Sequence, residues 1–141
     1  MKQILEFSSR PENLAAARAF VRQFLSCVAL PEKEAELLVL GVDEACSNII
    51  RHAYKETHQS REAPPQPITL SCERLRRSIR FRLRDFGDQA DPAMLNGRPL
   101  ERIEPGGLGL HLIRRAFDQV DFNLKKLGTE LVLTKQLGKL S

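Results

Sequence analysis

The sequence predicts a two-layer α+β sandwich, with helices on one face of a mixed, mostly antiparallel sheet. Its segments read in the order strand, helix, helix, strand, strand, loop, helix, strand, strand. Few strands are separated by single helices, which disfavours a doubly wound parallel sheet. The length of 141 residues suits one domain, and we assign residues 1–141 to it. The 42% hydrophobic and 28% charged content is typical of globular chains and excludes a disordered one.

The first half of the chain predicts one strand followed by two helices. Residues 2–8 form a short edge strand, and Pro11 opens a helix that extends to about Ala29. Pro31 opens the second helix, which has acidic residues in its first turn and continues to about Lys55. Apolar residues recur at helical spacing in the first helix at Leu14, Ala17, Val21, Phe24, Leu25 and Val28. The polar segment 56–67, with three prolines, is predicted to be a loop.

The second half predicts two hairpins separated by a long loop and a helix. Apolar and polar residues alternate on both sides of Arg76–Arg77, which is typical of an antiparallel hairpin with one apolar and one solvated face. Residues 86–107, with four glycines and three prolines, form a loop. A helix over 108–117 follows, and the final hairpin over 120–137 turns at Leu127–Gly128.

Charge and composition leave several partner classes open. The net charge of +4 and the pI near 9.2 allow a nucleic acid, a phosphorylated ligand or an acidic protein. With 7 Phe, 1 Tyr and no Trp, the sequence offers no evident platform for base stacking. No apolar run reaches the ~18 residues of a membrane helix, and the N-terminus lacks a signal-peptide core. These features predict a cytoplasmic protein.

The three cysteines, Cys27, Cys46 and Cys72, are predicted to be reduced and buried. Their spacing does not suit a zinc site, and an odd number disfavours a disulfide framework.

The polar face of the second helix is a candidate site. Glu44 and Asn48 are four residues apart, so their oxygens can converge on one point. Both are hard oxygen ligands suited to Mg²⁺, or one of them binds a metal while the other acts as a base. The alternative is an ordinary solvated helix face. That face contains Glu44, Asn48, Arg51, His52 and Lys55.

Two glycine-containing segments are further candidates. Asp85-Phe86-Gly87 ends a strand, as in many turns, but Asp85 could also accept a hydrogen bond from a ligand amine while Gly87 allows close approach. The segment 106–110 reads either as a flexible loop or as an anion site at a helix N-terminus. Gly109 favours the anion site, because glycine in a first helical turn costs ~1 kcal/mol relative to alanine. Gly128-Thr129 is most simply a hairpin turn.

The remaining polar residues have simpler interpretations. His52 and His111 are more typical of packing or surface positions than of metal ligands, and His58 lies in the polar loop. An arginine run is expected to coat the solvated sheet face. It comprises Arg74, Arg76, Arg77, Arg80, Arg82 and Arg84.

Taken in order along the chain, these motifs resemble a known family, although no single motif is specific enough to do so alone. VDEACSNIIRHAY, Asp85-x-Gly87, PGGLGLHLIRR and Gly128-Thr129 together resemble the ATP-binding boxes shared by gyrase, heat-shock chaperone ATPases and histidine kinases. The compact form, with EACSNIIRHAY and GGLGLHLIRRAFDQVDF, resembles the bacterial anti-sigma-factor serine/threonine kinases over about residues 3–136.

This resemblance implies a Bergerat-type, histidine-kinase-like ATPase fold that holds ATP and Mg²⁺ beneath a lid at about residues 88–106. It implies a kinase that phosphorylates an anti-sigma-factor antagonist (a small STAS-type domain) and that sequesters a sigma factor. A homodimer is implied as well, without direct binding of nucleic acid or membrane. A non-catalytic, nucleotide-dependent binding module of the same fold and a basic nucleic-acid-binding protein remain the alternatives.

The resemblance also implies a role for each matching residue. Glu44 would be the general base and Asn48 the Mg²⁺ ligand. Asp85 would accept from the adenine amino group, with Gly87 beneath the ring and Thr129 supporting the adenine end. The phosphates would be approached by Gly107, Leu108 and Gly109. Gln89 departs from the pattern, because the wider superfamily often has a second glycine there.

Overall fold

The computed structural model describes residues 1–55, 62–89 and 110–138. Its strands are β1 (Lys2–Ser8), β2 (Pro67–Arg74), β3 (Ser78–Asp85), β4 (Gln119–Leu124) and β5 (Thr129–Gln136). Its helices are α1 (Leu14–Leu25), preceded by a 3₁₀ turn (Pro11–Asn13), then α2 (Glu32–Asn48) and α3 (Leu110–Ala116). None of these helices is long and apolar enough to cross a membrane.

The five strands form one sheet in the order β1-β2-β3-β5-β4. The helices pack on one face of this sheet, so the predicted two-layer fold class is confirmed. The predicted mixed character is not found, since every strand pairing among the described residues is antiparallel. Two helices, α1 and α2, connect β1 to β2. The chain therefore crosses the domain twice between these strands, and β2 runs antiparallel to β1.

The first helix ends earlier than the apolar spacing predicts. It stops at Leu25 rather than near Ala29, and the hydroxyl of Ser26 donates to the carbonyl oxygen of Gln23, 2.6 Å away. Serine side chains that bond to nearby backbone compete with a continuing helix. The residue before Pro31 is also disfavoured from helical geometry.

The second helix keeps its predicted length but changes its hydrogen-bonding pattern. After Asn48 the chain forms a π-helical turn over Ile49–Ala53, in which the Tyr54 N–H donates to the Ile49 carbonyl oxygen at 3.0 Å. Such turns occur frequently at functional sites.

The core lies between the helices and the inner face of the sheet. Three phenylalanines from α1, β3 and the end of α3 pack edge to face across it. The centroid of the Phe81 ring is 6.1 Å from that of Phe24 and 5.7 Å from that of Phe117, a favourable arrangement for aromatic pairs. The predicted inward residues of the first hairpin are all buried: Ile68, Leu70, Cys72, Ile79, Phe81 and Leu83.

The outer face of the sheet is polar, as the alternation predicts. Arg82 pairs with Glu130 across β3 and β5 at 3.3 Å, and Arg80 approaches Glu73 on β2 at 4.0 Å. The rest of the arginine run only partly fits the prediction. Arg74 falls, by alternation, on the opposite face and donates to its neighbouring carbonyl, while residues 76–77 lie in the turn.

The cysteine prediction is right for two of the three thiols. Cys46 and Cys72 are buried, and burial raises the pKa of both, that of Cys72 to about 12. Cys27 is exposed, so its predicted burial is wrong. It lies two residues after the end of α1, between the exposed Ser26 and the buried Val28.

Candidate functional site

Glu44 and Asn48 lie on one face of α2 and converge on a single nitrogen atom. The Nη2 of Arg51 donates to Oε1 of Glu44 at 3.1 Å and to Oδ1 of Asn48 at 3.0 Å. The two side chains of the Arg51–Glu44 pair are about 30% and 27% exposed. The four-residue spacing predicts this convergence. The structure adds that the guanidinium group of Arg51 occupies the point where the two oxygens meet.

The π-helical turn connects this polar cluster to the Asp85 motif. The N–H of Asp88 donates to the carbonyl oxygen of Ala53 at 2.8 Å. A β-carbon added to Gly87 would overlap that oxygen and would lie 2.8 Å from Cδ1 of Tyr54. Gly87 is therefore required for packing against the end of the helix. Its suggested close approach to a ligand stays a prediction.

Tyr54 fixes the place where three elements meet. Its buried hydroxyl donates to the carbonyl oxygen of Pro67 at 2.8 Å and accepts from the N–H of Phe86 at 2.7 Å. The phenol therefore ties the end of the helix to the start of β2 and the end of β3. Desolvation raises its pKa, and the negative charge of Asp85 acts in the same direction.

Asp85 is a buried carboxylate at the end of β3, only 4% exposed. Its Oδ1 accepts from the N–H of Gly87 at 3.0 Å. Burial raises the pKa of Asp85, opposed by backbone hydrogen bonds from Gly87 and Thr129 and by the charge of Arg84. The Arg84 guanidinium lies 4.1 Å from the centroid of the Phe86 ring and donates to the backbone oxygen of Asp85.

The turn between β4 and β5 packs directly on the backbone of Asp85. Gly128 has a positive φ of 75°, and a β-carbon there would overlap the Asp85 carbonyl oxygen. Only glycine adopts this positive φ without strain and also leaves room for the Asp85 carbonyl group, because it has no β-carbon. The predicted hairpin turn is found at Gly128, whereas Thr129 already begins β5 and pairs with Asp85 in the register of β3 and β5.

Gln89 joins the Asp85 segment to the same turn. Its Nε2 donates to the carbonyl oxygens of Lys125 at 2.6 Å and Gly128 at 2.7 Å. The side chain at the position where the wider superfamily often has glycine thus holds residues 86–89 against the hairpin.

Other predicted candidates are not brought to this site by the described residues. Gly107, Leu108 and Gly109 lie outside them, as do His58 and most of the proposed lid, 88–106. His52 is half-buried in the π-helical turn, and His111 is exposed on α3.

Three residues of the site were not assigned a role from the sequence. Arg51 follows Asn48 by three positions on the polar face, and that spacing could have identified it. Gln89 was marked only by its departure from the family pattern. Tyr54 had no distinguishing sequence feature, because its partners lie 13 and 32 residues away.

The fold and the candidate site together define a class of protein. A sheet carries a buried carboxylate at the end of an inner strand, and the covering helix presents an acid and an amide one turn apart. This arrangement is a two-layer α/β sandwich with polar side chains on the covering helix and at the end of a strand.

Comparison with known proteins identifies the family within that class. The chain belongs to the histidine kinase-like ATPase domain family, whose sequence model matches residues 7–135. Membership in an ATPase family indicates that the chain uses ATP.

Two curated relatives indicate which members of this family the chain is similar to. The serine/threonine-protein kinase BtrW of Bordetella bronchiseptica is 32% identical over 101 residues, which are 69% of this chain and 67% of that one. An anti-sigma F factor of Oceanobacillus iheyensis is 28% identical, covering 96% of this chain and 92% of that one.

A solved structure supports the fold independently. The RsbU and RsbW domains of a Mycobacterium tuberculosis protein superpose with a TM-score of 0.65 at 15% identity, covering 96% of this chain. This chain spans 32% of the length of that solved chain.

Proposed function

We propose that this chain is an ATP-dependent serine/threonine-protein kinase that phosphorylates an anti-sigma-factor antagonist and, as an anti-sigma factor, sequesters a sigma factor. The names of similar proteins support both halves, namely serine/threonine-protein kinase BtrW and anti-sigma F factor. The observation that carries the proposal is that the side-chain oxygens of Glu44 and Asn48 converge on the guanidinium group of Arg51. A sigma factor is bound where transcription occurs, so the proposal places the chain in the cytoplasm.

In the proposed mechanism, Glu44 is the general base. Its carboxylate would take the proton from the serine or threonine hydroxyl as the oxygen attacks the γ-phosphorus of ATP, while the bond from that phosphorus to the bridging oxygen breaks and ADP leaves. Phosphoryl transfer depends mainly on positioning and electrostatics, so Glu44 needs to be held in one orientation near the substrate. A general base at such a position typically contributes roughly 10²–10⁴-fold to the rate.

Asn48 is the proposed metal ligand. Its Oδ1 already accepts from a positively charged nitrogen at 3.0 Å, and a neutral oxygen donor fits Mg²⁺, which proteins often hold through one or two ligands plus phosphates. When bound, Mg²⁺ would neutralise charge on the ATP phosphates.

The other site residues are assigned to the nucleotide. Asp85 accepts from the adenine amino group, because an ionised carboxylate at the end of β3 is an acceptor only. Gly87 and Thr129 flank it and shape the adenine end. Gly107, Leu108 and Gly109 are proposed to approach the phosphates.

We also propose a homodimer formed through the outer face of the sheet. This face carries charges of both signs at Glu73, Arg80, Arg82 and Glu130, as a surface that pairs with its own copy about a twofold axis requires. Light scattering of the purified protein should give twice the mass of the chain, and a monomer mass would contradict this part of the proposal.

The function is tested by incubating the purified chain with γ-labelled ATP, Mg²⁺ and a candidate STAS-type antagonist. We expect label on a serine or threonine of the antagonist, and capture of a sigma factor by the tagged chain. ATP-dependent thermal stabilisation without transfer to any antagonist would instead favour a non-catalytic binding module. Ligand at 100 times its dissociation constant should stabilise the fold by about 2.7 kcal/mol. If ATP neither stabilised the fold nor supported transfer, both the kinase and the non-catalytic binding module would be contradicted.

A further inference from the structure

Arg51 occupies a position that the proposed chemistry does not yet explain. It lies seven residues after Glu44 and three after Asn48, and one nitrogen of its guanidinium contacts both. Long helical side chains point back toward the N-terminus, so an arginine in the π-helical turn can reach both residues of α2. The contact is therefore built from residues of one continuous helical segment.

The arrangement does not have the character of an ordinary surface ion pair. Both side chains are about two-thirds to three-quarters covered, at 30% and 27% exposure, so the attraction is screened less than at an open surface. Among the residues that the structure describes, Nε of Arg51 is buried without a hydrogen-bond partner.

From this geometry we propose that Arg51 is a positioning residue, which holds the carboxylate of Glu44 beside Asn48 so that the base is oriented before substrate arrives. This proposal rests on the proposed kinase function. A glutamate has three side-chain torsions, and fixing its carboxylate by a charge-assisted hydrogen bond removes unproductive orientations.

The test is a double-mutant cycle between Arg51→Met and Glu44→Gln, with transfer to the antagonist measured for each variant. Arg51→Met should lower kcat by roughly 10–10²-fold, the scale of a misplaced catalytic group, with KM for ATP changed by less than about threefold. In the Glu44→Gln background the same substitution should change kcat by less than about twofold, because it acts through Glu44. Arg51→Lys should recover part of the rate, since it keeps a cationic donor.

Arg22→Met is the matched control. Arg22 forms a comparable 3.1 Å ion pair with Glu36 on an exposed surface, and its loss should leave kcat unchanged. The proposal would be overturned if Arg51→Met lowered kcat by the same factor in the unsubstituted chain and in the Glu44→Gln variant. A raised KM at constant kcat would also overturn it, and would instead indicate a contact with ATP.

A crystal structure of Arg51→Met decides the matter independently of activity. The Glu44 carboxylate should rotate away from Asn48, whereas an unchanged position would overturn the proposal. If the unsubstituted chain transfers no phosphate, the proposed function fails, and this structure still tests whether Arg51 orients Glu44.

Discussion

Gly87 lies against the carbonyl group of Ala53 so closely that a β-carbon at position 87 would overlap its oxygen. The same carbonyl oxygen accepts from the N–H of Asp88 at 2.8 Å. The end of the π-helical turn and the residues after β3 thus form one backbone contact. Through it, the helix that carries Glu44 and Asn48 is held against the strand that carries Asp85.

Gly87→Ala should destabilise the fold through this contact. The added methyl group must displace backbone rather than a flexible side chain, and overpacking of this kind costs about 1–3 kcal/mol or more. Urea unfolding monitored by circular dichroism measures the loss. Gly138→Ala is the matched control, because a β-carbon there meets nothing within 4 Å and should change stability by less than about 0.5 kcal/mol. Equal midpoints for both variants would contradict the packing role of Gly87.

Asp85→Asn should weaken ATP binding while the protein stays folded. The amide keeps an oxygen for the N–H of Gly87, but its NH₂ group opposes the adenine amino group. An unsatisfied polar group costs about 1–3 kcal/mol, which corresponds to roughly 5–150-fold in affinity. Titration calorimetry with ATP measures this loss. Glu36→Gln, which changes an exposed carboxylate that pairs with Arg22, should bind as the unsubstituted chain does, and an equal loss in both variants would count against the adenine role.

The same carboxylate predicts a pH dependence of stability. Burial raises the pKa of Asp85 above its ordinary value of 3.8, so the folded chain holds this proton to higher pH than the unfolded chain does. The contribution of Asp85 to stability is therefore complete below that value and declines as the pH rises through the raised pKa. Relative to Asp85→Asn, the free energy of unfolding should fall with rising pH, by at most about 1.4 kcal/mol per pH unit. Urea unfolding of both proteins from acid to neutral pH measures the difference, and a constant or rising difference would contradict the effect.

Local patterns were enough to predict the sheet and part of the site. The alternation around Leu70 and Phe81 identifies the buried face of the first hairpin, because side chains on a strand alternate between two faces. The four-residue spacing of Glu44 and Asn48 likewise predicts that their oxygens meet, because a helix brings such positions together.

Contacts between distant segments could not be predicted in this way. The bonds from Gln89 to Lys125 and Gly128 span 36 and 39 residues, and the hydroxyl of Tyr54 bridges two strands. A single sequence does not reveal such pairings, since nothing local requires them. The predicted burial of Cys27 is wrong because free cysteines are usually buried, and nothing local in the sequence marks Cys27 as an exposed exception.

The central claim is that Glu44 is the base of a phosphoryl transfer from ATP to a protein hydroxyl. Glu44→Gln keeps the size and helix propensity of the side chain but removes its ability to take a proton. Mg·ATP binding and sigma-factor capture should survive, because neither requires this proton transfer. Glu36→Gln, an exposed carboxylate on the same helix, is the control.

The decisive measurement is the rate of transfer of labelled phosphate to the antagonist, with ATP affinity measured beside it. The account predicts that Glu44→Gln lowers this rate by roughly 10²–10⁴-fold at unchanged ATP affinity, while Glu36→Gln transfers as the unsubstituted chain does. Transfer by Glu44→Gln at the unsubstituted rate would contradict the account and would make this side of α2 an ordinary polar helix face.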